Sequence, residues 1–181
     1  NARYGYTVGN AELVDSNTES QFRSQPEDMY GHFNMGMTAE NLAAKYKLTR
    51  EECDEFSLLS HQKATKAWEA GLFNEQLVSV EVPLGKGKTT IVEKDEIFRP
   101  DATMETLGKL PLAFKKDGVV TAGNSSPMSD GAGAVVVMEK EKAKSMGLEI
   151  LATFKAYASA GVDPAIMGIG PVAATRKLFA K

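Results

Sequence analysis

Apolar and polar positions divide the chain into stretches of distinct texture. Asn1 to Asp28 is polar with little periodicity and reads as loop or weak strand. A connection that long is usually functional, disordered or docked on something else. Met35 to Tyr46 starts the first helix, with Thr38 near its cap and Leu42, Ala43 and Tyr46 on one face. Thr49-Arg50-Glu51-Glu52 is a capping box: the Thr49 hydroxyl can accept from the Glu52 amide while the Glu52 carboxylate reaches back. The helix it opens is predicted to run to about Ala70, with Gly71 as its stop. Cys53, Phe56, Leu59, Ala64, Ala67 and Trp68 recur along it at helical spacing.

Val78, Val80 and Val82 then alternate with polar neighbours, the period of a strand. Gly85 to Lys88 is a turn and Thr89 to Val92 a second strand, so Leu77 to Val92 is predicted to be a hairpin. Arg99-Pro100 forbids a helix at that point. Thr103 caps a short helix carrying Leu107 and Leu110, ended by Pro111. Near Gly118 the texture changes. Val119 to Ala122 is strand-like, and Gly123 to Gly131 is a loop of small residues. Ala132 to Met138 is a continuous apolar run, the pattern of a strand buried on both faces. Glu139 to Met146 reads as a short helix stopped by Gly147, Leu151 to Ala160 as another buried strand, and Pro171 to Lys181 as a helix with Pro at its first position. Strands and helices in alternation indicate α/β architecture. The chain is therefore split near residue 116 into a mixed α+β lobe and the start of a layered α/β core. It begins with Asn and ends inside a helix, as expected of a cut polypeptide; a native terminal helix that frays is the alternative.

Composition narrows the function classes. Of 181 residues, 43% are hydrophobic and 25% charged, the balance of a soluble globular protein. A net charge of -3 with no basic stripe argues against a nucleic-acid partner. No apolar run is long enough to span a bilayer, and the N-terminus lacks a signal-peptide pattern. Cys53 is the sole cysteine, which suits a reducing compartment such as the cytoplasm. One Cys and the dispersed His32 and His61 do not make a zinc site, so no metal is expected.

Each residue with chemical potential has an ordinary reading beside the functional one. Cys53 lies near a helix N-terminus, but Glu51, Glu52, Asp54 and Glu55 oppose thiolate formation, and the structural reading is preferred. His61 is expected on a solvated face and His32 at a pocket beside Met35 and Gly36. The Gly123 to Gly131 loop either admits a ligand to its backbone or simply connects two strands. Met35, Met37, Met128 and Met167 are plain core or an adaptable apolar pocket. Lys86, Lys88, Lys94 and Arg99 are a solvated hairpin or a phosphate site.

Several segments, taken in order, resemble the thiolase family. They are Met35-Gly-Met-Thr-Ala-Glu-Asn-Leu-Ala43, Arg50 to Phe73, Asp95-Glu-Ile-Phe-Arg-Pro100, Leu110-Pro-Leu-Ala-Phe114, Val120-Thr-Ala-Gly-Asn-Ser-Ser126, Ser129-Asp-Gly-Ala132 and Gly161 to Pro171. The resemblance implies a thiolase-like α/β fold, an α+β loop domain followed by part of the layered αβαβα core. Residues 1–116 would be the coenzyme A-covering loop domain. Residues 117–147 would supply a return strand and helix of the N-terminal core, and 148–181 the start of the C-terminal core.

The resemblance also implies an acyltransferase acting on acetyl- or acyl-coenzyme A, with coenzyme A thioester as substrate, no cofactor, and a homodimeric or homotetrameric parent. It places Arg99 and Thr106 at the adenine end of coenzyme A. Phe114, Ala122 and Ser126 fall along the pantetheine, and Met35 and Met167 at the acyl pocket. The family's nucleophilic cysteine lies upstream of this region. Its Asn-Glu-Ala-Phe loop, Gly-His-Pro histidine and acid–base cysteine lie downstream, and none of these occurs here. No catalytic residue is therefore assigned to this chain, which is expected to bind coenzyme A and not to form the acyl-enzyme. A non-catalytic thiolase-like lipid or acyl-coenzyme A binding protein is the alternative, and a small binding module without chemistry a third reading. Asn34 stands where short-chain members often carry His, and Cys53 where the family has Gln.

Overall fold

The computed structural model describes residues 13–32 and 34–181. In chain order its elements are α1 (Ser16–Phe22), α2 (Glu27–Tyr30), α3 (Met35–Tyr46), α4 (Arg50–Glu69), β1 (Val80–Gly85), β2 (Lys88–Val92), α5 (Met104–Gly108), α6 (Lys140–Ser145) and α7 (Gly170–Phe179). Short 3-10 turns occupy Asn74–Gln76 and Pro164–Ile169. The chain forms two compact units, one of Asn1–Tyr46 with Ile150–Lys181, the other of Lys47–Glu149.

In the first unit the polar N-terminal stretch holds α1 and α2 where loop or weak strand is expected; residues 1–12 of that stretch lie outside the described residues. The Asp15 carboxylate caps α1, accepting from the amides of Asn17 and Thr18 and, at 2.6 Å, from the Thr18 hydroxyl. Arg23 pairs with Glu19 one turn away. α1 buries no residue, so it carries no apolar period to be read. α3 has the expected bounds, but its cap is Asn34, whose carboxamide oxygen accepts from the Met37 amide at 3.1 Å. Thr38 instead donates its hydroxyl back to the Met35 carbonyl. Thr38, Glu40 and Ala43 are the buried residues of α3, while Tyr46 is exposed. α3 packs on the 164–169 turn, where Asn41 Nδ2 donates to the Ala165 carbonyl at 2.9 Å. Gly168 approaches so closely that a Cβ there would lie 2.7 Å from Leu42 Cδ1.

In the second unit α4 has the expected capping box at Thr49 and Glu52, and Gly71 follows its end at φ 67°. Its inward face differs from the expected one. Phe56 and Leu59 are exposed, and the residue α4 buries is Asp54. The hairpin forms as expected, antiparallel with Val80 opposite Val92 and Val82 opposite Thr90. Lys86 and Gly87 both take positive φ at its tip, the geometry of a turn that matches strand twist. Thr103 caps α5, and Leu107 is buried beneath it. α6 is capped by Glu139 and followed by Gly147 at φ 67°.

The two predicted core strands are not strands here. Val135, Val136 and Val137 are 87%, 86% and 85% exposed, so both faces of the 132–138 run are bare. Leu151, Phe154 and Tyr157 are exposed likewise. Neither run has a ladder partner among the described residues. Apolar composition specifies a strand that is buried in a sheet, but a strand exists only where a neighbour accepts its backbone bonds. Val119 to Ala122 is reduced to one isolated antiparallel bridge, Leu112 with Thr121.

Candidate functional site

A polar cluster organises the second unit, and sequence reading missed it. Arg50, in the first turn of α4, donates from Nε to Asp54 Oδ2 at 2.6 Å. Its other arm donates to the carbonyls of Leu107 at 2.6 Å and Leu110 at 3.2 Å, holding the end of α5. The second Asp54 oxygen accepts from Asn124 Nδ2 at 3.1 Å. Asn124 also donates to the Val119 carbonyl and accepts from the Thr121 amide, both at 2.8 Å. Thr121 is fully buried; its hydroxyl accepts from the Gly123 amide and its carbonyl from the Ser125 hydroxyl. Every buried side-chain polar atom among the described residues has a partner. The available signal was the i, i+4 spacing of Arg50 and Asp54, which reads as an ordinary surface pair until Asp54 is seen to be buried.

The residues assigned to the adenine and pantetheine ends all lie in this unit and are exposed. Arg99 is held through its backbone, its amide donating to His61 Nδ1 at 3.1 Å. His61, expected on a solvated face, is half-buried and ties the 95–100 segment to α4. No carboxylate among the described residues pairs with the Arg99 guanidinium. The Thr106 hydroxyl is engaged in the α5 capping box, accepting from the Thr103 amide at 2.9 Å and donating to the Thr103 carbonyl at 3.0 Å. Phe114 and Ala122 lie on two segments joined by the 112/121 bridge and by the Ala113 amide bonded to the Val120 carbonyl. Ser126 follows the Asn124 cluster. Neither of the two strands expected to flank the 123–131 loop forms a ladder, and the start of the loop is held by this cluster.

Met35 and Met167, assigned to the acyl end, belong to the first unit and are half-exposed, on α3 and on the turn packed against it. Met128 is 84% exposed, which removes it from any plain core. His32 stacks flat on Phe22, with ring centroids 4.9 Å apart, and its Nε2 lies 3.1 Å from Glu27. Lys94 stands over the Trp68 and Phe98 rings as a cation–π contact. Among the described residues no three His, Cys, Asp or Glu side chains gather as metal ligands, and no helix is long and apolar enough to cross a membrane.

The sequence matches the N-terminal domain of thiolase over residues 1–141. This chain belongs to the thiolase family. The acetyl-CoA acetyltransferase of Pseudomonas aeruginosa is 51% identical to it over 180 residues, 99% of this chain and 45% of that protein. The crystal structure of the Bacillus anthracis acetyl-CoA acetyltransferase superposes with a TM-score of 0.83 at 45% identity, covering 99% of this chain and 44% of that one. Human mitochondrial 3-ketoacyl-CoA thiolase in complex with CoA gives 0.80 at 43% identity, with 99% and 43% covered. The thiolase-like α/β fold expected from the motifs is the fold of these neighbours. The chain spans less than half the length of the thiolases it matches.

Proposed function

We propose that this chain is the coenzyme A-handling part of a thiolase that moves an acetyl or acyl group between coenzyme A thioesters, by Claisen condensation or thiolysis. The observation that carries the reading is the gathering of the Arg99, Thr106, Phe114, Ala122 and Ser126 segments around α4 in one unit. The exposed Arg99 guanidinium meets a phosphate or stacks on adenine. Thr106 contributes its methyl group, since its hydroxyl is spent on the helix cap. Phe114 and the small Ala122 and Ser126 flank the pantetheine arm, and Met35 and Met167 shape the acyl end. Residues 1–116 form the loop domain, 117–147 part of the N-terminal core and 148–181 the start of the C-terminal core. In that arrangement the bare 132–138 and 151–160 runs are core strands completed by other strands of the whole protein. The enzyme works as a cytoplasmic homo-oligomer on this reading.

Cys53 is not its nucleophile. The residues 1–181 alone give no turnover of acetoacetyl-coenzyme A with coenzyme A, and turnover abolished by Cys53→Ala would overturn that statement. In the whole protein as its gene encodes it, Arg99→Ala removes a charge-assisted contact worth about 1.5–3 kcal/mol when well formed, brought to the low end by exposure. The KM for coenzyme A substrates rises about tenfold, at ~1.4 kcal/mol per decade, with kcat little changed. A substrate on a truncated pantetheine carrier is unaffected. Equal damage to both substrates makes Arg99 structural and defeats its assignment.

A further inference from the structure

We propose that one polar face of α4 is a template that sets the spacing of the coenzyme A-binding segments, with Asp54, Asn124 and His61 as positioning residues. This rests on the coenzyme A reading above. Arg50, Asp54 and His61 lie one turn and then two turns apart, close to a single line along the helix. Each holds a different segment. Arg50 grips the two carbonyls at the end of the helix that carries Thr106. Asp54 grips Asn124, and through it the loop that carries Ala122 and Ser126. His61 accepts from the backbone of Arg99 itself.

The loop around Asn124 is bonded to α4 through the Asn124 side chain. Beside the 112/121 bridge and the local bonds of Thr121 to Gly123 and Ser125, it is the Asn124 carboxamide that ties the loop to α4, since it donates to Asp54 and Val119 and accepts from Thr121. A buried ion pair such as Asp54 with Arg50 is a poor source of stability, since a well-packed apolar pair of the same volume often does better. What such a pair supplies that an apolar pair does not is direction: two fixed hydrogen-bond vectors, one to α5 and one to the loop. The substrate-facing side chains then need no contact with α4 to be registered on it.

The template predicts that its anchors fail separately. In the whole protein as its gene encodes it, Asn124→Ala releases the pantetheine loop. KM therefore rises about tenfold, the equivalent of ~1.4 kcal/mol, for coenzyme A thioesters and for truncated pantetheine thioesters alike. His61→Ala releases only the Arg99 segment, so KM rises for nucleotide-bearing substrates and stays unchanged for truncated ones. His61→Gln, whose amide oxygen can still accept from the Arg99 amide, restores most of the loss. A purely structural role would lower the melting temperature of both variants and leave their KM values alone, or move both substrates equally in both variants; either result overturns the template. Should Asn124→Ala not fold, Asn124→Ser takes its place. Hydrogen exchange on the unmutated protein gives an independent check: desulfo-coenzyme A is expected to slow exchange of the Thr121 and Gly123 amides, and unchanged exchange on saturation overturns the proposal. If the unmutated protein neither binds desulfo-coenzyme A nor turns over its thioesters, the coenzyme A reading itself has failed.

Discussion

Replacing Asp54 tests the Arg50–Asp54 bond most directly. The Asp54 side chain is 2% exposed and that of Arg50 20% exposed, joined at 2.6 Å. Asp54→Ala leaves the guanidinium without its counter-charge and removes the acceptor for one Asn124 donor bond. Breaking a buried pair from one side costs about 3–5 kcal/mol when the surviving charge is stranded. Here Arg50 keeps the Leu107 and Leu110 carbonyls and reaches some solvent, and Asn124 keeps Val119 and Thr121. The loss is therefore set near the value of one charged hydrogen bond plus a weakened neutral one, about 2–3 kcal/mol. Asp54→Asn is expected to fare little better, because its amide must present a donor either to Arg50 or to Asn124, both donors themselves. Urea unfolding of the variant and its parent, followed by far-ultraviolet circular dichroism, measures the change. A double-mutant cycle with Arg50→Ala isolates the pair, with an expected coupling above about 1 kcal/mol. A loss under about 0.5 kcal/mol for Asp54→Ala, or additive single variants, would refute the reasoning.

Gly123→Ala places a Cβ 2.5 Å from Leu110 Cδ1 and 2.8 Å from Leu107 Cδ2, and Leu107 is buried, so overpacking is expected to cost about 1–3 kcal/mol; an unchanged urea midpoint would contradict the packing described. Thr49→Ala removes the hydroxyl half of the α4 capping box and is expected to cost about 1 kcal/mol in the same assay. The Asp15 carboxyl is held below its ordinary 3.8 chiefly by the Thr18 hydroxyl, then by the Asn17 amide, so its support of α1 is complete above pH 3.8 and is lost as pH falls through the lower, folded-state value. Amide chemical shifts of Asn17 and Thr18 followed from pH 6 to pH 2 should move with that depressed midpoint, and a midpoint at or above 3.8 would contradict the cap.

Sequence by itself determined what local chemistry decides. The Thr49 box and Gly71 bound α4 because a cap and a left-handed glycine act within a few residues of themselves. The same holds for Thr103 at α5, for the alternation and turn residues of the hairpin, and for the bounds of α3. The motif order along the chain likewise pointed to the thiolase family before any contact was visible. Tertiary structure alone decided which side of each element is used. Phe56 and Leu59 sit at core spacing yet are exposed, and the charged Asp54 is buried, because burial of a carboxylate becomes tolerable only once Arg50 and Asn124, seventy residues further along, meet it in space. His61 is a charged-face residue by pattern and an anchor for Arg99 by position. The 132–138 run shows the converse: its composition fixes that it should be covered, but what covers a strand is the property of another strand, which no local pattern contains.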